Sequence, residues 1–363
     1  MSETKKGLPE SRSKIFARFL LLRVFDRIFH INLVKRMVFL AKKLAVGAFC
    51  GLFLVISTFA WDDVGHKITG YIAWQRMTPQ TRENVIRILR AAPEDSQLAA
   101  FYKTYGPESD DVKRLEFFVF VPTWADLVRD RTFETRYGKY HHSNWHYDDT
   151  FWKQVDGRIE LLTGNEEGGQ AVARLVEFDA VMRDPATSNA DKAIAIAWIL
   201  HLSGDIHQPL HTSARVTDTE PKGDQGGNLF LLTPKGTPRE KQVNLHWFWD
   251  SIVGRNIPFE RGMCEREYIE MAAKKLIKGH PFLSMKDRLN LGKYEDWRKE
   301  SFAFNNTVVF SPDLQRNQMP SENYKRRAFK LAEERLVLAG YRLGETLNSV
   351  FDSVPQPARQ VEK

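Results

Sequence analysis

The chain has 363 residues and a formal charge of +7, but that charge is unevenly placed. Of its 53 basic and 46 acidic residues, 11 and 3 fall in the first 60, leaving 42 and 43 beyond them and a remainder at −1. This balance excludes general electrostatic attraction to nucleic acid, so affinity for phosphate has to come from bound metal or a few placed arginines. The two cysteines exclude a disulfide framework, because Cys50 lies in an apolar leader and Cys264 stands alone after it.

Residues 1–60 read as a basic leader followed by a secretory signal. Lys42 and Lys43 supply the positive start, Leu44 to Ile56 the apolar core, and Thr58 with Ala60 the small-residue cleavage site. The true start is either Met1 or Met37. A membrane anchor over 44–60 is the competing reading, but the run is shorter than the ~20 residues a span needs. Cleavage after Ala60 makes Trp61 the first mature residue, with an α-amine and a carbonyl able to chelate a divalent metal. The expected location is then periplasmic or secreted, with no stable membrane span in the mature form.

Helical patterns dominate residues 61–363. Val64, Ile68, Tyr71 and Ile72 share one side of a helix over 64–75. Thr78-Pro79 starts a second helix with Val85, Ile88 and Leu89 inward. The segment 92–123 reads as irregular and charged, with an apolar burst from Phe117 to Val121. Asp191 is the expected cap of a helix from Ala193 to Gly204 that is apolar nearly all round, hence central. Gly226-Gly227, an extended stretch over 228–233, the Pro234-Lys235-Gly236 turn and a second piece near Val243 suggest a small β-hairpin. A long amphipathic helix over 322–350 carries Ala328, Leu331, Leu338 and Leu347. The expected fold is mainly α: a single compact multi-helix domain with a small β-hairpin, acting as a monomer.

Histidine and aspartate recur at helical spacing. His201 and Asp205 are four apart on the central helix, so both project from one face, and His246 and Asp250 repeat the spacing. His211 follows beyond Pro209, and Asp126 and His146 complete the set. Imidazole nitrogen and carboxylate oxygen are what zinc accepts where no thiolate cluster is available. A lone His/Asp pair at this spacing is usually a surface hydrogen bond. Burying an unpaired carboxylate on an otherwise apolar helix, by contrast, costs several kcal/mol, so Asp205 calls for a cation or a strong partner.

The ordered set Trp61, His66, Trp124-Ala125-Asp126, His146, His201, Asp205, His211, Gly226-Gly227-Asn228, His246 and Asp250 resembles the zinc-dependent single-strand-specific nucleases of fungi, plants and bacteria. The fungal S-one and P-one enzymes typify that family, which belongs to the phospholipase C/nuclease superfamily. The likeness extends to Gly340-Tyr341-Arg342-Leu343 near the C-terminus. It implies three zinc ions. Asp126, His146 and His201 with Asp205 would hold one; the amine and carbonyl of Trp61 with His66 a second, bridged by Asp205; and His211, His246 and Asp250 the third.

The resemblance further implies that Arg129 contacts the scissile phosphate, that Tyr147 stacks a base and Asp149 bonds its edge, and that Asn228 lies by phosphate or sugar. Asp126, Arg129 and Asp205 are accordingly the expected catalytic residues. Tyr147 stands where phenylalanine is familiar, and simple core packing is its plainer alternative. His207 is expected either to orient a metal ligand or to be an ordinary loop histidine, as are His141 and His142. The sequon at Asn305-Asn306-Thr307 looks buried and helical.

The implied activity is hydrolysis of single-stranded DNA or RNA to 5′-phosphate products, with 3′-nucleotidase as companion and nucleotides as further substrates. A zinc phospholipase C shares the ligand framework but has glutamate as its last ligand, where this chain has Asp250. A non-catalytic periplasmic zinc-binding protein would have no use for Arg129 or a terminal chelate.

Overall fold

Side-chain caps set the starts of the major helices. In the computed structural model, which describes residues 61–163 and 168–353, Asp62 accepts from Gly65 N and opens α1 (Asp63–Arg76). Thr78 likewise opens α2 (Pro79–Leu89), with Pro79 in the first turn as the sequence suggests. Ser109 caps α3 (Asp110–Phe120), so the stretch 92–123 is more ordered than its charge pattern implied. Two acidic residues in the first turn of α3, Asp110 and Asp111, favour the helix N-terminus. The charges that made the segment look irregular are on its solvent side, while Phe117, Phe118 and Val119 are buried.

Short helices α4 (Trp124–Leu127) and α5 (Glu134–Tyr140) follow, then α6 (Ala171–Arg183) and the central α7 (Asn189–Asp205). The cap of α7 is Ser188 and not Asp191, which instead sits in the first turn and accepts from the Ser188 hydroxyl at 2.7 Å. Every residue from Ala195 to Asp205 is buried. The chain then forms α8 (Leu245–Asp250), α9 (Ile252–Asn256), α10 (Glu265–Gly279), α11 (Phe282–Met285), α12 (Tyr294–Phe302) and α13 (Glu322–Phe351).

The expected hairpin over 228–243 is not a ladder: only an isolated Leu231–Asn244 bridge joins its arms. The sheet lies elsewhere, ordered β2-β1-β3, from β1 (Thr150–Val155), β2 (Arg158–Leu161) and β3 (Ser213–Arg215). β1 and β2 pair antiparallel across Asp156-Gly157, both at positive φ, which is the turn chemistry of a tight hairpin. β3 pairs in parallel with β1, Thr150 opposite Ser213, and so ties the segment after His146 to the segment after His211.

The core has two parts. One gathers α2, α6, α7 and the end of α13 around Trp124 and Trp198; the other gathers α1, α8, α10 and α13 around Trp61 and Trp249. Gly340 lets α13 approach α1 closely, since a Cβ there would lie 2.5 Å from Ile72 Cβ. Two fully buried arginines on α13 converge on one carboxylate, with Arg335 Nη1 and Arg342 Nη2 at 3.1 and 2.8 Å from Glu300. Asn305 is buried in a short π-helical turn, in keeping with the sequon's expected setting. Among the described residues no helix is long and apolar enough to cross a membrane. The leader and signal read over 1–60 lie outside the described residues.

Candidate metal centre

Five buried histidines and three buried aspartates converge from separate elements. α1 supplies His66, α4 Asp126, the turn before β1 His146, α7 both His201 and Asp205, a 3₁₀ turn after Pro209 His211, and α8 both His246 and Asp250. They form three groups able to hold a metal ion: His66, His201 and Asp205; Asp126, His146 and His201; and His211, His246 and Asp250.

Asp205 joins the first two groups. Its Oδ1 is 3.3 Å from His66 Nε2, while its Oδ2 is 3.3 Å from His146 Nδ1 and 3.1 Å from His201 Nε2. Yet both Asp205 oxygens, both His66 nitrogens, and Nε2 of His146 and of His211 are sealed from solvent without an aligned hydrogen bond. Buried polar atoms normally find partners, and leaving this many without one would be costly. His146 Nδ1 and His201 Nε2 lie within 2.8 Å of each other, but the remaining donor atoms converge without a partner, an arrangement that suits a cation, so these residues fit the metal sites implied by the sequence.

Three of the imidazoles have their tautomer set by backbone. Nδ1 of His201, His211 and His246 each lies 2.7 Å from a carbonyl, of Pro122, His146 and Gly226 respectively. A carbonyl can only accept, so Nδ1 carries the proton and Nε2 presents a lone pair. Burial also lowers the pKa of all five histidines, that of His246 to about 4, and keeps them in the neutral, metal-binding form. The same burial pushes Asp205 up to about 7 and Asp250 well above the ordinary carboxylate range. Each therefore needs a nearby positive charge to stay ionised at neutral pH.

Local sequence makes these approaches possible. Gly204 has no side chain where a Cβ would come within 3.0 Å of His66 Nδ1, and the His66 ring stacks on His201 with centroids 4.1 Å apart. Trp61 is fully buried beside α1, and Asp62 N donates to Asp250 O at 3.1 Å, which draws the start of the described chain to the third group. Arg129 lies 2.9 Å from Asp126 Oδ1, and its charge, second to burial or after it, lowers the pKa of both His146 and His246.

The expected substrate residues sit on the flanks. Tyr147 is half-buried and immediately follows His146. Asp149 is also half-buried, its Oδ1 lacks a partner, and burial together with the charges of Asp224 and Asp148 pushes it well above the ordinary range. Asn228 donates to Gln225 O at 2.9 Å and accepts from Asn244 at 3.3 Å.

His207 is not an ordinary loop residue. It is buried, with Nδ1 2.6 Å from Ser203 O and Nε2 2.8 Å from Arg342, so it braces the end of α7 against α13. His141 and His142 stack on Tyr137 and Trp145. Sequence reasoning missed Gln208, whose amide donates to Asp250 Oδ1 at 2.8 Å and whose carbonyl accepts from Leu210 N at 2.6 Å. Its placement between Asp205 and His211, just before a proline, was the available signal.

A mainly helical domain that closes on three buried groups of metal-ligating side chains, with an arginine among them, defines a metal-binding hydrolase. The chain belongs to the S1/P1 nuclease family, whose model matches residues 61–352. It is 23% identical to Nuclease S1 of Aspergillus oryzae over 309 residues, covering 81% of this chain and 92% of that enzyme. It is 28% identical to Endonuclease 4 of Arabidopsis thaliana over 200 residues, 48% of this chain and 58% of that protein. Nuclease P1 of Penicillium citrinum is 22% identical over 54% of this chain and 59% of its own length. The matches to the plant enzyme and to Nuclease P1 thus span little more than half of those relatives.

Proposed function

We propose that the protein is a trinuclear zinc phosphodiesterase that hydrolyses single-stranded DNA and RNA to 5′-phosphate products and removes 3′-phosphates from nucleotides. The reading rests above all on Asp205, whose two oxygens face separate imidazole groups. Asp126, His146, His201 and Asp205 would hold one ion, Trp61, His66 and Asp205 a second, and His211, His246 and Asp250 the third. Zinc in such sites supplies a lowered pKa for bound water and a counter-charge for the leaving oxygen.

The chain's own groups do the rest. Asp126 orients Arg129, whose guanidinium offers donors to the non-bridging phosphate oxygens as charge builds on them. Neutral imidazoles keep the centre from repelling metal. Tyr147 stacks a base and Asp149 bonds its edge, which favours single strands because paired bases cannot splay onto an aromatic platform. Asn228, which accepts a hydrogen bond from Asn244, would contact sugar or phosphate.

The proposed mature protein begins at Trp61 after export to the periplasm or beyond, comprises residues 61–363 as one domain, and acts as a monomer. Mass spectrometry of the exported protein tests the start, and a mature form beginning elsewhere would remove the terminal chelate. Incubation with single-stranded DNA, RNA and phosphatidylcholine, each with and without EDTA, tests the activity. Chelator-sensitive cleavage of strands is expected. Hydrolysis of the lipid alone would make the protein a phospholipase, and zinc binding with no hydrolysis would make it a binding protein.

A further inference from the structure

The structure holds nine tryptophans, all among the described residues, and only Trp247 is exposed, at 48% of its surface. Tryptophan has a large planar apolar face, and one left open to solvent is available to stack on a planar ligand. Trp247 directly follows His246 on α8, a helix whose His246 and Asp250 face the third metal group. It therefore stands on the flank of that group.

Its ring is held in place. The Arg255 guanidinium lies over the indole at 5.4 Å from the ring centroid, which covers one face and steadies it. The Trp247 backbone N–H donates to the Asn244 side chain at 2.7 Å, and the same side chain donates to Asn228 at 3.3 Å. The backbone of Trp247 is thus tied through Asn244 to the loop carrying the proposed sugar or phosphate contact.

Tyr147 is joined to the same group through the backbone of the residue before it. His146 O, one residue before Tyr147, accepts from His211 Nδ1 at 2.7 Å, and the His211 and His246 rings are 4.8 Å apart. Two aromatic residues, Tyr147 and Trp247, thus each directly follow a histidine of the candidate metal groups, and both histidines are joined to His211.

We propose that Trp247 is a second base-stacking platform, which takes a base of the single strand other than the one on Tyr147. The proposal rests on the nuclease reading above and deepens it. A strand long enough to reach both rings binds more tightly than a mononucleotide that reaches one. Trp247 is then a residue that sets preference for strands over single nucleotides.

The test uses zinc-loaded wild type, Trp247→Ala and Trp247→Phe. Each is assayed on oligothymidylates of increasing length and on a 3′-mononucleotide, with binding to phosphatidylcholine vesicles measured in parallel. Stacking contributes ~1–3 kcal/mol per base, so Trp247→Ala is expected to raise KM for long strands roughly 5- to 150-fold. The ratio of kcat/KM on strands to that on the mononucleotide should fall by a similar factor, and Trp247→Phe should recover most of it.

Equal losses on both substrates would overturn the proposal and make Trp247 a support for the metal ligands. An unchanged KM on strands would overturn it as well, and so would a loss confined to vesicle binding, which would make the indole a membrane contact. If the wild type cut no nucleic acid at all, the nuclease reading itself would fail, a result separate from these.

Discussion

Asp205 turns one carboxylate oxygen to His66 at 3.3 Å and the other to His201 at 3.1 Å, from the fully buried C-terminal end of α7. One residue thereby couples two of the three metal groups. Asp205→Asn should lower zinc content by more than one ion and abolish phosphodiesterase activity, because an amide cannot bring a negative oxygen to each side. Metal analysis by inductively coupled plasma spectrometry, alongside the activity assay, checks this. Full zinc content with near-normal turnover would reduce Asp205 to a structural role.

Metal removal should weaken the fold itself. Without cations, His66, His146, His211 and Asp205 keep buried atoms that have no hydrogen-bond partner, and each such atom costs ~1–3 kcal/mol. Binding and folding are linked, so dialysis against EDTA should lower Tm markedly and added zinc should restore it. A melting curve indifferent to chelation would show that no ion occupies these groups in solution.

Tyr147→Ala should weaken binding of single strands while zinc content stays intact. A lost stack of ~1–3 kcal/mol corresponds to roughly 5- to 150-fold in KM. Hydrolysis of bis-p-nitrophenyl phosphate, which carries no base, should change far less. Asp149→Ala should alter relative rates among homopolymers. Since burial raises the Asp149 pKa, the group passes from donor to acceptor at a higher pH than an ordinary carboxylate, and base preference in the wild type should vary with pH through that change. Unchanged kinetics on every nucleic substrate in both variants would refute the base site.

Gly204→Ala tests the close approach of His66 to α7. The added Cβ would sit 3.0 Å from His66 Nδ1, so the ring must move by a few tenths of an ångström. Overpacking of this kind costs ~1–3 kcal/mol, and the expected signature is reduced zinc content together with a lower Tm. Retention of full zinc and wild-type Tm would show that the helix has room to give.

Glu300→Gln removes the carboxylate shared by buried Arg335 and Arg342. The pair is partly open at Glu300, so the expected loss is about 2 kcal/mol at neutral pH. Burial alone would raise the Glu300 pKa, but the bond from Arg342 and the charges of both arginines outweigh it and hold the group below 4.5. A lowered folded pKa means the contribution is present above 4.5 and is lost as pH falls through the folded value. The stability gap between wild type and variant, from urea unfolding, should therefore close as pH drops below 4.5. A gap that stays constant through that range would contradict the ion-pair account.

The amino-acid sequence by itself determined the helical class, the starts of α1 and α2, and the identity of the eight described His and Asp ligand candidates. Most of these are local matters: a capping threonine before a proline, an apolar stripe of helical period, and the pairs His201/Asp205 and His246/Asp250 four residues apart on one helix face; His66 came from the family resemblance. The sequence misplaced the hairpin because the Pro234-Lys235-Gly236 turn lies between two extended stretches, which the structure joins by only an isolated Leu231–Asn244 bridge. The true strands at 150–161 meet over an Asp156-Gly157 turn, whose dipeptide is a hairpin signal in the sequence.

Only the tertiary structure brought those ligand candidates together in space, in three groups able to hold a metal ion. Groups separated by up to 139 residues, such as His66 and Asp205, meet because α1 packs across α7 at a glycine. It also decided that His207 braces Arg342, that Gln208 orients Asp250, and that one tryptophan of nine faces solvent beside the third group. Such roles depend on distance and burial between elements far apart in the chain, and no local pattern carries that information.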